Sequence, residues 1–135
     1  MRALIAEDDE QSRMILSRFI AGSVEYELAV DGGEALEKYH AAITNGEPFQ
    51  IIFLDIMMPK HNGLEVLRII REDEQSRNLS GFDAVKIVMT TALDDEERIL
   101  DAHLSGCVSY LIKPLSKKLV LEEIEKCKQD LGIHL

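Results

Sequence analysis

Two kinds of apolar spacing alternate along the chain. Short continuous apolar runs are typical of strands covered on both faces, and apolar residues three or four positions apart are typical of helices. The predicted strands are Ala3–Ala6, Val24–Val30, Ile51–Asp55, Val85–Thr90 and Val108–Ile112. Each is followed by a helical pattern. This order predicts an α/β fold with a parallel sheet and helices on both faces, because parallel neighbours need right-handed crossover connections.

Apolar stripes and capping residues locate the helices. The first helix is predicted to end at Gly22, and the second to begin at Asp31, with Glu34 at the capping-box spacing. Acids at Asp94–Glu97 suit the start of the fourth helix, and Ser116 suits the cap of the last. The residues predicted to face inward are Ile15, Leu16, Phe19 and Ile20 in the first helix, Leu36, Tyr39 and Ile43 in the second, Val66, Leu67 and Ile70 in the third, and Val120, Ile124, Cys127 and Leu131 in the last.

Length and charge narrow the class of protein. A chain of 135 residues has the size of one compact domain, so we expect one domain over residues 1–135 with no output domain. Its 25 acidic and 15 basic residues give a net charge of −10, which disfavours direct binding to nucleic acid or anionic membranes and favours a cationic partner surface. The apolar runs are too short to span a bilayer and the N-terminus lacks a signal-peptide core, so we expect a cytoplasmic protein without membrane insertion. Cys107 and Cys127 lack the paired spacing of a zinc site and are expected to be inert thiols.

Polar side chains collect where the predicted strands end. Carboxyl ends of parallel strands meet at one edge of an open sheet, so these side chains are expected to converge. Clustered carboxylates need a compensating cation, and oxygen ligands suit Mg2+. A lysine and a hydroxyl opposite them suit a phosphoryl group. The residues concerned are Glu7, Asp8 and Asp9 after the first strand, Asp55 at the end of the third, Thr90 and Thr91 at the end of the fourth, and Lys113 after the fifth.

Four segments in this order form a specific pattern. They are Leu4–Asp9, Phe53–Pro59 with Gly63, Val88–Ala92 and Gly106–Pro114. Together they resemble the receiver domain of two-component response regulators, in particular its single-domain, chemotaxis-type members. The resemblance covers nearly the whole chain and implies a doubly wound, flavodoxin-like (βα)5 fold with strand order 2-1-3-4-5. It also leaves the Lys113–Pro114 peptide as a candidate cis bond.

The resemblance implies a role for each residue of the acidic cluster. Asp55 would be the phosphoacceptor, attacking a phosphohistidine of a histidine kinase or phosphotransfer protein. Mg2+ would be bound by Asp8 and Asp55, by the backbone carbonyl of Met57, and by Glu7 through water. Lys113 would pair with a phosphoryl oxygen. The resemblance therefore implies a protein that catalyses its own phosphorylation and dephosphorylation without being an enzyme in the usual sense.

The resemblance further implies how phosphorylation is transmitted. Thr91, followed by the small residue Ala92, matches the switch hydroxyl, and Tyr110 matches an aromatic residue that packs inward behind it. The face formed by the fourth helix, fifth strand and fifth helix would then change its preference for a downstream protein target. The same face could also serve as a homodimer interface.

Two departures from common family members bear on the lifetime of the phosphoryl group. Met57 and Leu93 are apolar where polar residues often accompany rapid loss of the group, so we expect a long-lived aspartyl phosphate. The polar stretch Glu72–Gly81 is a further departure, and it is predicted to lengthen the loop after the third helix.

Other functions remain open from the sequence. A haloacid-dehalogenase-like phosphatase also carries an aspartate after a strand, but it needs a second aspartate two positions on, where Met57 stands. A degenerate receiver that acts as a phosphorylation-independent scaffold is a second alternative. A receiver belonging to a larger response regulator or hybrid kinase is a third.

Overall fold

A five-stranded parallel sheet forms the centre of the computed structural model. The structure describes residues 1–92, 96–107 and 109–132, and at residues 82 and 96 it describes the backbone alone. The strands are β1 (Arg2–Ala6), β2 (Glu25–Ala29), β3 (Ile51–Asp55), β4 (Lys86–Thr91) and β5 (Ser109–Ile112). The helices are α1 (Glu10–Ile20), α2 (Gly32–Thr44), α3 (Gly63–Ser76), α4 (Glu96–Leu104) and α5 (Lys117–Asp130), with a 3₁₀ turn at Gly81–Asp83. The strand order is β2-β1-β3-β4-β5, which confirms the predicted topology.

Two apolar cores cover the two faces of the sheet, and the residues of β3 alternate between them. Ile52 and Leu54 pack with residues of α2 and α3, while Ile51 and Phe53 pack with residues of α1 and α5. All of β3 is buried, including Asp55 at its end. A strand enclosed on both faces thus carries one carboxylate to the edge of the sheet.

Side chains cap four of the helices. Asp9, Asp31, Asn62 and Ser116 each accept a hydrogen bond from the backbone N–H three residues later. The caps at Asp31 and Ser116 were predicted. Such a cap contributes about 1 kcal/mol to the stability of the fold. The caps of α1 and α3 fix where these helices begin, after β1 and after the β3–α3 loop.

Two members of the predicted apolar stripes lie at the surface instead. Ile15 is 47% exposed, because it projects from the side of α1 while Leu16 and Ile20 face the core. Leu131 follows the last residue of α5 and is 37% exposed. The first helix ends at Ile20, two residues before Gly22. The other inward-facing residues are buried or partly buried, as predicted.

The predicted loop at Glu72–Gly81 is the clearest correction, because α3 continues to Ser76. The polar run that suggested a loop contains Glu74, which is buried. Its carboxylate accepts hydrogen bonds from Arg71 and from the backbone N–H of Val85, each at 2.6 Å. Arg71 in turn donates to the carbonyl oxygen of Gly106 at 2.9 Å. These bonds compensate the buried charge and extend the helix by a turn.

Three predictions fall partly or wholly outside the described residues. They concern Asp94 and Asp95 at the predicted start of the fourth helix, Val108 at the predicted start of the fifth strand, and Leu93. Among the helices that the structure describes, none combines the length and the apolar character needed to cross a membrane.

The buried network of α3 gives a stability test. Glu74→Ala is expected to lower the free energy of unfolding by about 3 kcal/mol, because it removes the carboxylate that neutralises Arg71 and leaves the N–H of Val85 without its acceptor. Glu72→Ala removes an exposed acid from the same helix and is expected to change it by less than about 0.5 kcal/mol. Urea unfolding of both variants measures the difference, and equal effects would contradict the network.

Candidate functional site

The carboxyl ends of β1, β3 and β5 bring three charged side chains together. Glu7 follows β1, and its backbone N–H donates to the carbonyl of Ala29 at 3.0 Å. Asp55 ends β3 and Lys113 follows β5. The Lys113 Nζ lies 2.6 Å from Glu7 Oε2 and 3.3 Å from Asp55 Oδ2. The predicted convergence of these three residues is therefore observed.

Lys113 is held in place by both its backbone and its ammonium group. Its backbone N–H donates to the carbonyl of Thr91 at 2.7 Å, which fixes the end of β5 against β4. Burial lowers the pKa of Lys113, but the hydrogen bond to Glu7 and the negative charges of Asp55 and Glu7 outweigh burial and raise it overall. The side chain is therefore a fixed positive charge between two carboxylates.

Asp8 completes a set of oxygen donors suited to a divalent cation. One carboxylate oxygen from each of Glu7, Asp8 and Asp55 lies within 4.8 Å of the others. Both Glu7 oxygens already accept hydrogen bonds, one from Lys113 and the other from the backbone N–H of Asp9 at 3.1 Å. Asp8 is exposed, so it faces the side from which a hydrated ion would arrive. This all-oxygen set, with one member at the surface, fits Mg2+ with retained water.

The environment of Asp55 disfavours its charged form. Burial and, next, the negative charge of Glu7 raise the pKa of Asp55 to about 7, although Lys113 and the backbone N–H of Met57 act in the opposite direction. A carboxylate with an excess of negative neighbours gains from a bound cation, because the cation lowers the cost of ionisation. The excess negative charge thus favours a bound cation, and the oxygen ligands suit Mg2+.

Arg13, which the sequence analysis did not single out, and Gly63, which belongs to the family pattern, hold the acidic loops. Arg13 donates to the carbonyl oxygens of Glu7 and Asp8, at 3.0 and 3.4 Å, and so fixes the turn between β1 and α1. A Cβ at Gly63 would overlap the backbone carbonyl of Asp55, so α3 can begin this close to β3 only with glycine there. An arginine one turn into the helix after an acidic pair was the available signal for Arg13.

Thr91 and Tyr110 share one face of the sheet. Thr90 stands beside Asp55 in the ladder, and Thr91 alternates to the face of Met89. Tyr110 pairs in register with Met89 and so shares that face. The inward packing expected of Tyr110 follows phosphorylation, so it stays a prediction for this unphosphorylated structure. Tyr110 is 38% exposed, because the side of β5 toward α4 is open to solvent, and its ring makes an edge contact with His103 of α4.

Met57 lies at the mouth of the site and is 51% exposed. Its backbone N–H donates to Asp55 Oδ1 at 3.2 Å, and its sulfur contacts the guanidinium of Arg98 on α4. The sequence did not predict this arginine contact. Leu93, its expected apolar companion, lies outside the described residues. The Lys113–Pro114 peptide is cis.

The sequence model of the response regulator receiver domain matches residues 3–125. The chain belongs to this family. The receiver domain is a phosphorelay signalling module, so this chain is a signalling switch by family and does not belong to a family of metabolic enzymes. This confirms the resemblance drawn from the four sequence segments.

Relatives of this receiver occur in proteins of different sizes. It is 32% identical over 128 residues to osmosensing histidine protein kinase SLN1 of Saccharomyces cerevisiae, covering 91% of this chain and 10% of that protein. It is 36% identical over 98 residues to chemotaxis protein CheY of Treponema pallidum, covering 73% of this chain and 60% of that protein. The chain thus spans only part of each.

One similar solved structure contains a receiver domain together with a phosphotransfer protein. It is the Saccharomyces cerevisiae co-crystal of the histidine phosphotransfer signalling protein Ypd1 with the receiver domain of its downstream response regulator Ssk1. This receiver matches it with a TM-score of 0.81 and 30% identity, covering 96% of this chain and 91% of that chain.

The raised pKa of Asp55 predicts how the receiver's stability depends on pH without Mg2+. The native state binds more protons than the unfolded state between about pH 4 and pH 7, so the free energy of unfolding falls as pH rises through this window. Asp55→Asn removes this cost. The variant is therefore expected to gain stability relative to wild type between pH 5 and pH 8, by up to a few kcal/mol at ~1.4 kcal/mol per pKa unit.

Thermal and urea unfolding in chelator-treated buffer measure this gain. Glu125→Gln is the control, because it removes one acidic charge from the exposed side of α5. Its stability difference from wild type should stay nearly constant over the same pH range. A pH-independent difference for Asp55→Asn would contradict the burial of an ionising carboxylate.

Proposed function

We propose that this receiver accepts a phosphoryl group on Asp55 and uses it to change its affinity for a protein target. The observation that carries the proposal is the placement of Asp55, buried and 3.3 Å from Lys113, within a group of three acids. A solvated acid at a strand end would need neither the enclosure nor the fixed ammonium. The family of the chain supports the same function.

The transfer step uses the Asp55 carboxylate as nucleophile. A carboxylate oxygen attacks the phosphorus of a phosphohistidine, the new P–O bond forms as the P–N bond breaks, and the donor imidazole leaves with the electron pair and takes up a proton. Lys113 lies within reach of the arriving phosphoryl oxygens and offsets their charge. Because Lys113 also binds Glu7, it stays in position while its bond to Asp55 is replaced.

The metal site is assigned to the same group of acids. Asp8, Asp55 and the backbone carbonyl of Met57 would hold Mg2+ directly, and Glu7 would act through water, which agrees with the hydrogen bonds already made by both of its carboxylate oxygens. Bound Mg2+ supplies charge neutralisation for the transferring phosphoryl group. The protein's own part is to keep the acids within a few ångströms of each other before the donor arrives.

The readout is assigned to the face formed by α4, β5 and α5. Thr91 ends β4 on the side of α4, and Tyr110 lies on the same face in contact with His103. We infer that Thr91 bonds the phosphoryl group and that Tyr110 moves inward, which reshapes the face. This face would bind the downstream protein target, and it is also the candidate surface for a homodimer.

The partners follow from charge and family. A histidine kinase or a phosphotransfer protein would supply the phosphoryl group, and the Ypd1–Ssk1 complex supports a partner of this kind. The net charge of −10 favours a cationic protein surface over nucleic acid or an anionic membrane. We also propose that the receiver is cytoplasmic and that residues 1–135 form a single domain.

Phosphorylation of Asp55 can be measured directly. Wild type incubated with acetyl phosphate and Mg2+ is expected to gain one phosphoryl group by intact-mass measurement, and Asp55→Asn to gain none. Asp8→Asn is expected to load far more slowly at the same Mg2+ concentration, because a metal ligand is lost. Asp9→Asn is the matched control, since asparagine also caps α1 and loading should stay near wild type.

The outcomes separate the alternatives. Loading of Asp55→Asn to the wild-type level would place the acceptor elsewhere. No loading of wild type with Mg2+ present would favour a scaffold that works without phosphorylation.

The lifetime of the phosphoryl group tests the apolar residue at the mouth of the site. Met57 cannot hydrogen-bond an attacking water, so the aspartyl phosphate of wild type is expected to persist well beyond seconds after the donor is removed. Met57→Asn is expected to speed the decay roughly tenfold, or about 1.4 kcal/mol in activation free energy. Met14→Asn, an exposed methionine on α1, should decay as wild type does. Equal decay of both variants would contradict a role for Met57.

A further inference from the structure

Arg98 connects α4 to the mouth of the candidate site. It is the third residue of α4, it is partly buried, and its Nη1 lies 2.6 Å from Met57 Sδ. The backbone N–H of Met57 donates to Asp55 Oδ1. A continuous set of contacts therefore runs from the guanidinium through one methionine to the carboxylate that we propose as phosphoacceptor.

The physical properties of the two side chains explain what this contact does. Methionine has three rotatable bonds, and a half-exposed methionine gains little from burial to offset the entropy lost when it is held still. A guanidinium is planar and weakly hydrated, so it can pack against an apolar side chain while keeping its charge toward water. Arg98 is thus suited to restrict Met57 to one position.

We propose that Arg98 is a positioning residue that holds Met57 across the approach to Asp55 and so slows hydrolysis of the aspartyl phosphate. The proposal rests on the proposed function above. In hydrolysis a water oxygen forms a new P–O bond, the bond from phosphorus to Asp55 breaks, and the carboxylate leaves with the electron pair. The proton lost by water passes to solvent. A methionine held over the site obstructs that water, whereas a mobile one does not.

The contact differs from the ion pair that joins α4 to α3. Arg68 of α3 lies 2.9 Å from Asp101 of α4, and both side chains are about half exposed. That pair lies between two helices and does not include a residue of the acidic site. Arg68→Ala therefore weakens an attachment of α4 without altering the contact with Met57, and it is the matched control for Arg98→Ala.

The test measures decay of the aspartyl phosphate after loading with acetyl phosphate and removal of the donor. Arg98→Ala is expected to decay about fivefold faster than wild type, or ~1 kcal/mol in activation free energy, and Arg68→Ala at the wild-type rate. Met57→Ala should also decay faster. Because Arg98 acts through Met57, the double variant should decay no faster than Met57→Ala alone. Additive effects, or no effect of Arg98→Ala, would overturn the proposal.

A second readout needs no phosphorylation. The methyl carbon–proton resonance of Met57, assigned by its loss in Met57→Ala, is expected to shift toward the position of a freely rotating methionine in Arg98→Ala and to stay unchanged in Arg68→Ala. An unchanged resonance in Arg98→Ala would show that Arg98 does not position Met57. If wild type is phosphorylated normally but the Met57 resonance is unchanged in Arg98→Ala, the positioning role of Arg98 is wrong and the proposed phosphoacceptor is unaffected. If wild type does not load, both fall.

Discussion

The bond of Lys113 to both Glu7 and Asp55 is the interaction on which the acidic edge of this receiver depends. Two nearly buried carboxylates repel each other and lose hydration, and a single ammonium compensates both. Compensation is incomplete, as the raised pKa of Asp55 shows. The end of β3 therefore carries excess negative charge, which a bound metal ion would offset.

The scaffold around this charge cluster leaves little freedom for adjustment. Glycine at position 63 lets α3 begin against the backbone of Asp55, and Arg13 binds the two carbonyl groups that follow β1. At the opposite edge of the sheet, Arg71 and Glu74 tie α3 to the start of β4. Secondary-structure elements fixed by these contacts thus hold the acids, and Met57 and Arg98 lie at the mouth of the site.

Sequence reasoning succeeded where local pattern and topology act together. Apolar periodicity predicts the strands, and the rule that their carboxyl ends converge predicts that Glu7, Asp55 and Lys113 lie together. It failed where contacts with residues distant in the sequence determine whether a side chain is buried. Glu74 resembled a loop acid because its burial depends on Arg71 and Val85. The contact of Arg98 with Met57 joins residues 41 positions apart in the chain, so no local pattern could predict it.

The hydrogen bond from Lys113 N to Thr91 O limits how a signal can cross the sheet. It pins the ends of β4 and β5 in register, and slippage by one residue would turn every side chain to the other face. Under the proposed switch, a signal would therefore pass by side-chain rotation at Thr91 and Tyr110 and by displacement of α4. Rotamer changes of exposed side chains take picoseconds to nanoseconds, whereas helix displacement takes microseconds to milliseconds. The response time of this receiver would therefore be the relaxation time of α4.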